Sequence, residues 1–310
     1  MNNYYGMGVR LIKKIIQDVI NNKRYKLRQK KLALHKEKLL NIDELKRQKT
    51  SETIFLIGNS PSIFSITAKG WAEIKSCDSM GINGYGFNDF IPTYYSLELN
   101  PSYIVMHHFL LKEIERKYIN AKTKFIINYD SYAYAQTNIE NFPEIVKNNF
   151  SFVSHRHIKN LSRDGLKDSM NSLYIDSIKN KLTYNSFIAA RASIFACVQL
   201  CWALGYKKIC LPGVDLNNQL NFYRTLENEN ARKYSELEDI FWSYNISNVD
   251  RESTHTSIDN RFSGQYKTPA ITQILKDFQD LVLNKVGVQI YAYSKESLLS
   301  SIFPVWKCDE

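Results

Sequence analysis

No GxGxxG or GxxxxGK[ST] pattern occurs in the 310 residues, which removes the dinucleotide fingerprint and the P-loop. Asp-x-Asp pairs are also missing, and with them the arrangement that holds a divalent ion between carboxylates and a nucleotide diphosphate. The six histidines form no pair with metal-ligand spacing backed by cysteine or carboxylate. There are only five cysteines, an odd number, and Cys197, Cys201 and Cys210 fall inside apolar patterns. Reduced, buried thiols in a cytoplasmic protein account for them better than a disulfide framework. The N-terminal segment has neither the continuous apolar h-region of a secretory signal nor the length to span a bilayer. No internal repeat is present.

What is present begins with charge. The chain carries a formal +10, yet Met1 to Thr50 holds 14 Lys plus Arg against 4 Asp plus Glu, which leaves 27 of each sign from residue 51 onward. The balanced body offers no electrostatic footprint for nucleic acid. In the basic leader, residues 1–50, Val9, Ile12, Ile15, Ile16, Val19 and Ile20 recur at helical spacing among Arg10, Lys13 and Lys14. Such an amphipathic helix can lie in a membrane interface, or it can dock on the body or on a second subunit, which leaves a homo-oligomer open.

The run Ile54-Phe55-Leu56-Ile57 leads straight into Gly58-Asn59-Ser60-Pro61-Ser62. This reads as a buried strand ending in a polar loop that suits a phosphate or nucleotide, with Pro61 opening the next helix. A second strand of this kind, Lys208 to Leu211, follows a helix end at Gly205 and leads into Gly213-Val214-Asp215. Asp215 suits either a ribose contact or a cap on the next element.

Together with Gly81-Ile82-Asn83, Asn100-Pro101-Ser102, Arg191-Ala192-Ser193 and the tail Val288 to Ser294 followed by Ser297-Leu298-Leu299, this ordered set resembles the motifs of bacterial sialyltransferases that use CMP-sialic acid. It is most similar to the lipooligosaccharide sialyltransferases with a variant glycosyltransferase-A, Rossmann-like fold. The resemblance implies that Gly58, Asn59, Ser60, Asn83 and Asn100 hold the cytidine and ribose, that Ser193 touches the nucleotide, and that Gly213 and Asp215 complete the pocket. It also implies a histidine base after the GxD strand, here His255, and tyrosines on the departing phosphate, with Tyr223, Tyr234 and Tyr244 available. His255 stands further from the last strand than in that family, and its polar surroundings equally suit a surface histidine.

The chemistry is coherent on its own terms. A neutral imidazole can take the proton of an attacking hydroxyl, and tyrosine hydroxyls and helix N–H groups can stabilise CMP leaving without a metal. The resemblance therefore implies a metal-independent transferase moving a sialic acid-like or Kdo-like sugar from a CMP-activated donor to a lipooligosaccharide, O-antigen or capsule acceptor. The site would lie on the cytoplasmic face of the bacterial inner membrane. Alternatives are a pyrophosphokinase-like nucleotide transferase and a noncatalytic glycan-assembly factor.

The pattern predicts strands at Thr53 to Ile57, Ser79 to Ile82, Thr93 to Leu97, Lys124 to Ile127, Lys208 to Leu211 and Val288 to Ala292. Helices are expected over Ser186 to Leu204, Glu227 to Ile246 and Thr268 to Lys285. Alternation of the two predicts an α/β domain over residues 51–310, a mainly parallel sheet covered on both faces, with the polar segment 128–183 as an acceptor-side insertion or lid.

Overall fold

The computed structural model describes residues 23, 25–99, 104–135, 139–156, 158, 161–217 and 268–307. Its centre is a seven-stranded sheet built from β1 (Thr53–Ile57), β2 (Asp78–Ile82), β3 (Tyr94–Leu97), β4 (Lys124–Asn128), β5 (Phe150–Val153), β8 (Lys208–Leu211) and β9 (Gln289–Ala292). The strand order is β5-β4-β3-β2-β1-β8-β9 and every pairing is parallel. A parallel pair needs a crossover, and the crossover helices cover both faces, so the strands are apolar almost throughout. In β1 the two-residue period sends Ile54 and Leu56 to one core and Phe55 and Ile57 to the other.

The first core packs α7 (Arg163–Ile178), α8 (Ser193–Ala203) and α9 (Ile271–Phe278) on the sheet, through residues such as Leu173, Phe195, Val198 and Phe278. The second packs α3 (Ala68–Ser76), α4 (Ile104–Lys117) and α6 (Glu144–Asn149) through Ile74, Leu110, Ile114 and Val146. A short parallel pair, β6 (His155–Arg156) with β7 (Phe187–Ile188), stands beside the main sheet. All six expected strands are present, within a residue or so at their ends.

Three expectations change. Segment 128–183 is no insertion, because it supplies the edge strand β5, whose Phe150 and Phe152 enter the second core, and α7, which covers the first. The helix expected from Ser186 begins only at Ser193. Gln199 explains the delay: its Oε1 accepts the Ile188 N–H at 2.8 Å and its Nε2 donates to the Ile188 carbonyl at 2.9 Å, holding β7 extended along the helix side. Arg191 then turns the chain with φ +62. The helix expected to start at Thr268 begins at Ile271 and passes through a π-turn, Gln279–Leu283, before ending at Gly287. The helix expected over Glu227 to Ile246 lies outside the described residues.

The described part of the leader docks on the body, one of the two roles open to it. A helix spans 25–32, followed by α2 (Ile42–Gln48), and Leu32, Leu40, Ile42 and Leu45 are all buried. Leu39 bridges to Phe152 in parallel and Leu40 N–H donates to the Phe152 carbonyl at 2.9 Å, so the leader covers the exposed edge of β5. At the other edge Trp306 N–H donates to the Ala292 carbonyl at 2.7 Å. No helix among the described residues is long and apolar enough to cross a membrane.

Candidate functional site at the carboxyl ends of the strands

Because all seven strands run the same way, their carboxyl ends share one side of the molecule. The strand order reverses between β1 and β8, where successive connections depart to opposite faces and open a crevice. The two loops at this point interlock. Gly58 N–H donates to the Pro212 carbonyl at 2.8 Å and Ser60 N–H to the Gly213 carbonyl at 2.8 Å. Asp215 N–H donates to Ser60 Oγ at 3.2 Å, and Ser62 Oγ donates to Asp215 Oδ1 at 2.7 Å. A Cβ on Gly58 would lie 2.2 Å from Gly213 O, and Gly213 has φ +65. Gly58, Ser60, Gly213 and Asp215 therefore come together as expected, but the groups just named are spent on each other. Burial pushes the Asp215 carboxyl above its ordinary range, against the Ser62 hydrogen bonds that pull it down. Ser297 Oγ donates to the Val214 carbonyl at 2.9 Å and Leu298 N–H to the Asp215 carbonyl at 2.9 Å, which gives the serine-leucine tail a bracing role.

Asn59 is different. Its Nδ2 donates to the Ile82 carbonyl at 3.0 Å, and since that carbonyl can only accept, the amide orientation is fixed. Oδ1 is then buried with no hydrogen-bond partner among the described residues. One strand over, Asn83 sits at φ +50 with Nδ2 donating to Ser193 Oγ at 3.2 Å and Oδ1 accepting the Glu98 N–H at 3.0 Å. Ser193 Oγ donates in turn to the Glu98 carboxylate, which also accepts from Ser131 Oγ at 3.3 Å. Ser193 opens α8, whose N-terminus has no side-chain cap, although the Phe195 N–H donates to the Ala192 carbonyl at 3.2 Å.

A third group lies at the ends of β4 and β5. Asp130 Oδ2 accepts from Ser154 Oγ at 3.1 Å and from the His155 N–H at 2.9 Å, and lies 3.6 Å from His155 Nδ1. Asn128 Nδ2 is 3.4 Å from the same ring nitrogen. From the leader helix, Arg28 Nε faces Asp130 Oδ1 at 3.2 Å, and Gln29 Nε2 donates to Ser154 Oγ at 2.9 Å. Burial pulls the His155 imidazole below its ordinary value, Asp130 and Glu98 pull it up, and Arg28 lowers it further. Glu98, Asn128, His155 and Ser193 line one cavity of about 30 Å³ with Ile126, Phe187 and Leu200.

Asn59, Asn83 and Ser193, singled out in the sequence, lie at this edge, while the sequence reading passed over Glu98 and Asp130. Glu98 directly follows the apolar strand β3 and Asp130 stands two residues after β4, and a carboxylate just past an apolar strand was the available signal. His107 is inside α4, where burial pulls its imidazole down to about 4. Asn100, His157, Tyr223, Tyr234, Tyr244 and His255 lie outside the described residues. Among the described residues no cluster of three His, Cys, Asp or Glu is arranged to hold a metal ion. Cys197, Cys201 and Cys210 are buried thiols outside any disulfide, as expected.

No protein-family model matches the chain, and no curated protein matches it. Among solved structures, the chain is similar to the sialyltransferase CstII from Campylobacter jejuni in complex with a substrate analogue, CMP-3FNeuAc. That match has a TM-score of 0.42 and 15% identity over 82% of this chain and 86% of that one. A point variant of the sialyltransferase CST-II in complex with CMP gives a TM-score of 0.44 at 14% identity over the same shares.

Proposed function

We propose that the protein is a glycosyltransferase that takes a sialic acid-like or Kdo-like sugar from a CMP-activated donor. The observation that carries this is Asn59 Oδ1, a fixed acceptor that is buried and has no hydrogen-bond partner among the described residues, one strand from Asn83, whose Nδ2 reaches Ser193 at the start of α8. A buried amide oxygen is rarely left without a donor, and an amine or hydroxyl of a nucleoside supplies one. The α8 N–H groups suit the single phosphate of CMP. Motifs that resemble those of CMP-sialic acid transferases fall at these same strand ends.

The acceptor in this reading is a lipid-linked surface glycan on the cytoplasmic side of the membrane, with the apolar stripe of residues 9–20 seated in the interface. The proposed chemistry uses no metal: helix N–H groups and tyrosine hydroxyls offset the charge on the leaving phosphate, so transfer persists in EDTA. Tyr223 and Tyr244 are the proposed phosphate ligands, and His255 was the base implied by the sequence.

A thermal-shift comparison of CMP, CDP, UDP, GDP and ATP tests the nucleotide, since a ligand that binds only the folded state raises its apparent stability. CMP should give the largest shift, and Asn59→Ala should weaken its binding by roughly 1–3 kcal/mol while the fold survives. Equal CMP affinity in folded Asn59→Ala, or a response to ATP alone, would count against the reading.

A further inference from the structure

The leader helix over residues 25–32 has two faces of different character. Arg28, Gln29 and Leu32 turn to the body: Arg28 Nε faces Asp130 Oδ1 at 3.2 Å, Gln29 Nε2 donates to Ser154 Oγ at 2.9 Å, and Leu32 is fully buried. On the other side Lys23, Lys26, Leu27, Lys30 and Lys31 recur at steps of three and four residues, with Leu34 on the 3₁₀ turn that follows, Ala33–Lys38. Leu27 is 56% exposed and Leu34 79%, although both are large apolar side chains. None of these four lysines has an acidic partner among the described residues, and Glu37 is the only acidic residue from 23 to 38.

We propose that this outward face docks on an anionic lipid bilayer, with Leu27 and Leu34 seated in the interface and Lys23, Lys26, Lys30 and Lys31 among the head groups. Apolar area leaves water there while each uncompensated cation meets lipid charge, which a solvated helix face would not provide. The face follows the apolar and basic stripe of residues 9–20 in the chain, so the same chemistry occurs twice in succession. One weak membrane signal gives only marginal binding, so the two hold together and neither suffices alone.

Arg28 and Gln29 bind groups at the carboxyl ends of β4 and β5. A bilayer against the far side of this helix therefore lies about one helix diameter, roughly 10–12 Å, from those strand ends. The crevice edge is held toward the membrane, which, resting on the transferase reading, suits an acceptor sugar close to its lipid.

The test sediments the full chain with vesicles of phosphatidylglycerol and phosphatidylcholine at low salt, and measures CMP affinity alongside. Each lysine near such a surface contributes roughly fivefold in partitioning. The triple variant Lys26→Gln, Lys30→Gln, Lys31→Gln should thus lose on the order of 100-fold in vesicle binding, and Leu27→Ser with Leu34→Ser on the order of 10-fold or more. All five side chains are exposed, so melting temperature and CMP affinity should stay at wild-type values. Ile119→Ser with Lys122→Gln is the control: Ile119 is 71% exposed but precedes the amino end of β4, and this variant should sediment as wild type. Face variants that sediment like wild type overturn the proposal and leave residues 9–20 as the anchor. Loss confined to the control overturns the orientation. Wild-type protein that ignores the vesicles refutes docking on lipid, and if it binds polyglutamate instead, the partner is an acidic protein. Wild-type protein that sediments but does not bind CMP sinks the transferase reading alone and leaves the docking face supported.

Discussion

Replacing Gly58 by Ala tests the interlock of the two loops at the crevice. The new methyl would lie 2.2 Å from Gly213 O, 2.7 Å from Val214 Cγ2 and 2.9 Å from Gly213 C. The first distance is roughly 1 Å or more inside ordinary contact, and the obstacle is backbone, so no rotamer relieves it. The loops must separate, straining the bonds from Gly58 N–H to Pro212 and from Ser60 N–H to Gly213. Overpacking costs about 1–3 kcal/mol, and each bond is worth about 0.5–1.5 kcal/mol net. The sum, about 2–6 kcal/mol, is a large share of the roughly 5–15 kcal/mol that holds a typical domain together. Gly205→Ala is the control: it has φ +87 with nothing within 4 Å, so it should lose only the left-handed backbone preference, about 1–2 kcal/mol. Urea unfolding of the two variants at unchanged slope gives the comparison directly. If Gly58→Ala were as stable as Gly205→Ala, the interlock would have no energetic weight, and Gly58 would return to being a ligand-approach position.

Three other predictions concern separate parts of the molecule. Tyr206→Phe removes the hydroxyl that donates to buried Asp78 Oδ2 at 2.8 Å. Because Thr50 and Ser51 still donate to that carboxylate, the loss in urea unfolding should be about 1–2 kcal/mol and not collapse. Truncation through residue 49 strips Leu32, Leu40, Ile42 and Leu45 from the cores, each worth about 1.5–3 kcal/mol, so that protein should aggregate or melt far earlier. Removing only residues 1–22 should keep the melting temperature and abolish sedimentation with anionic vesicles at low salt; unchanged sedimentation would exclude the interfacial helix.

The sheet was legible in the sequence because parallel strands buried on both faces are short apolar runs flanked by polar turns. Thr53–Ile57 and Lys208–Leu211 match their expected limits. β5 was obscured by its neighbours: Phe150-Ser151-Phe152-Val153 is apolar, but polar residues surround it, and its edge is completed by Leu39, more than a hundred residues earlier. Asn59, Asn83 and Ser193 were readable as polar residues at the boundaries of elements. The Asp130–His155–Arg28 group was not, since it joins three segments that come together only through the fold. The roles of Gly58 and Gly213 required the structure too: a glycine that admits a ligand and one that admits another backbone look alike in one dimension.

The seam between β1 and β8 also sets the order in which this chain can fold. Strands β1 to β5 come from the first half of the chain, and each pairs with the strand next to it in sequence, so that part can begin to collapse while synthesis continues. Until Lys208–Leu211 emerges, β1 is an open edge, with Ile54 and Phe55 at its pairing positions. An open apolar edge of this kind invites pairing with another chain. Closing it requires a contact across most of the body, which slows folding. The same event joins Gly58 to Gly213, so the crevice and the β1 edge are completed together while the open edge passes to β8 until Gln289–Ala292 pairs with it, and a chain interrupted before β8 would be prone to aggregate.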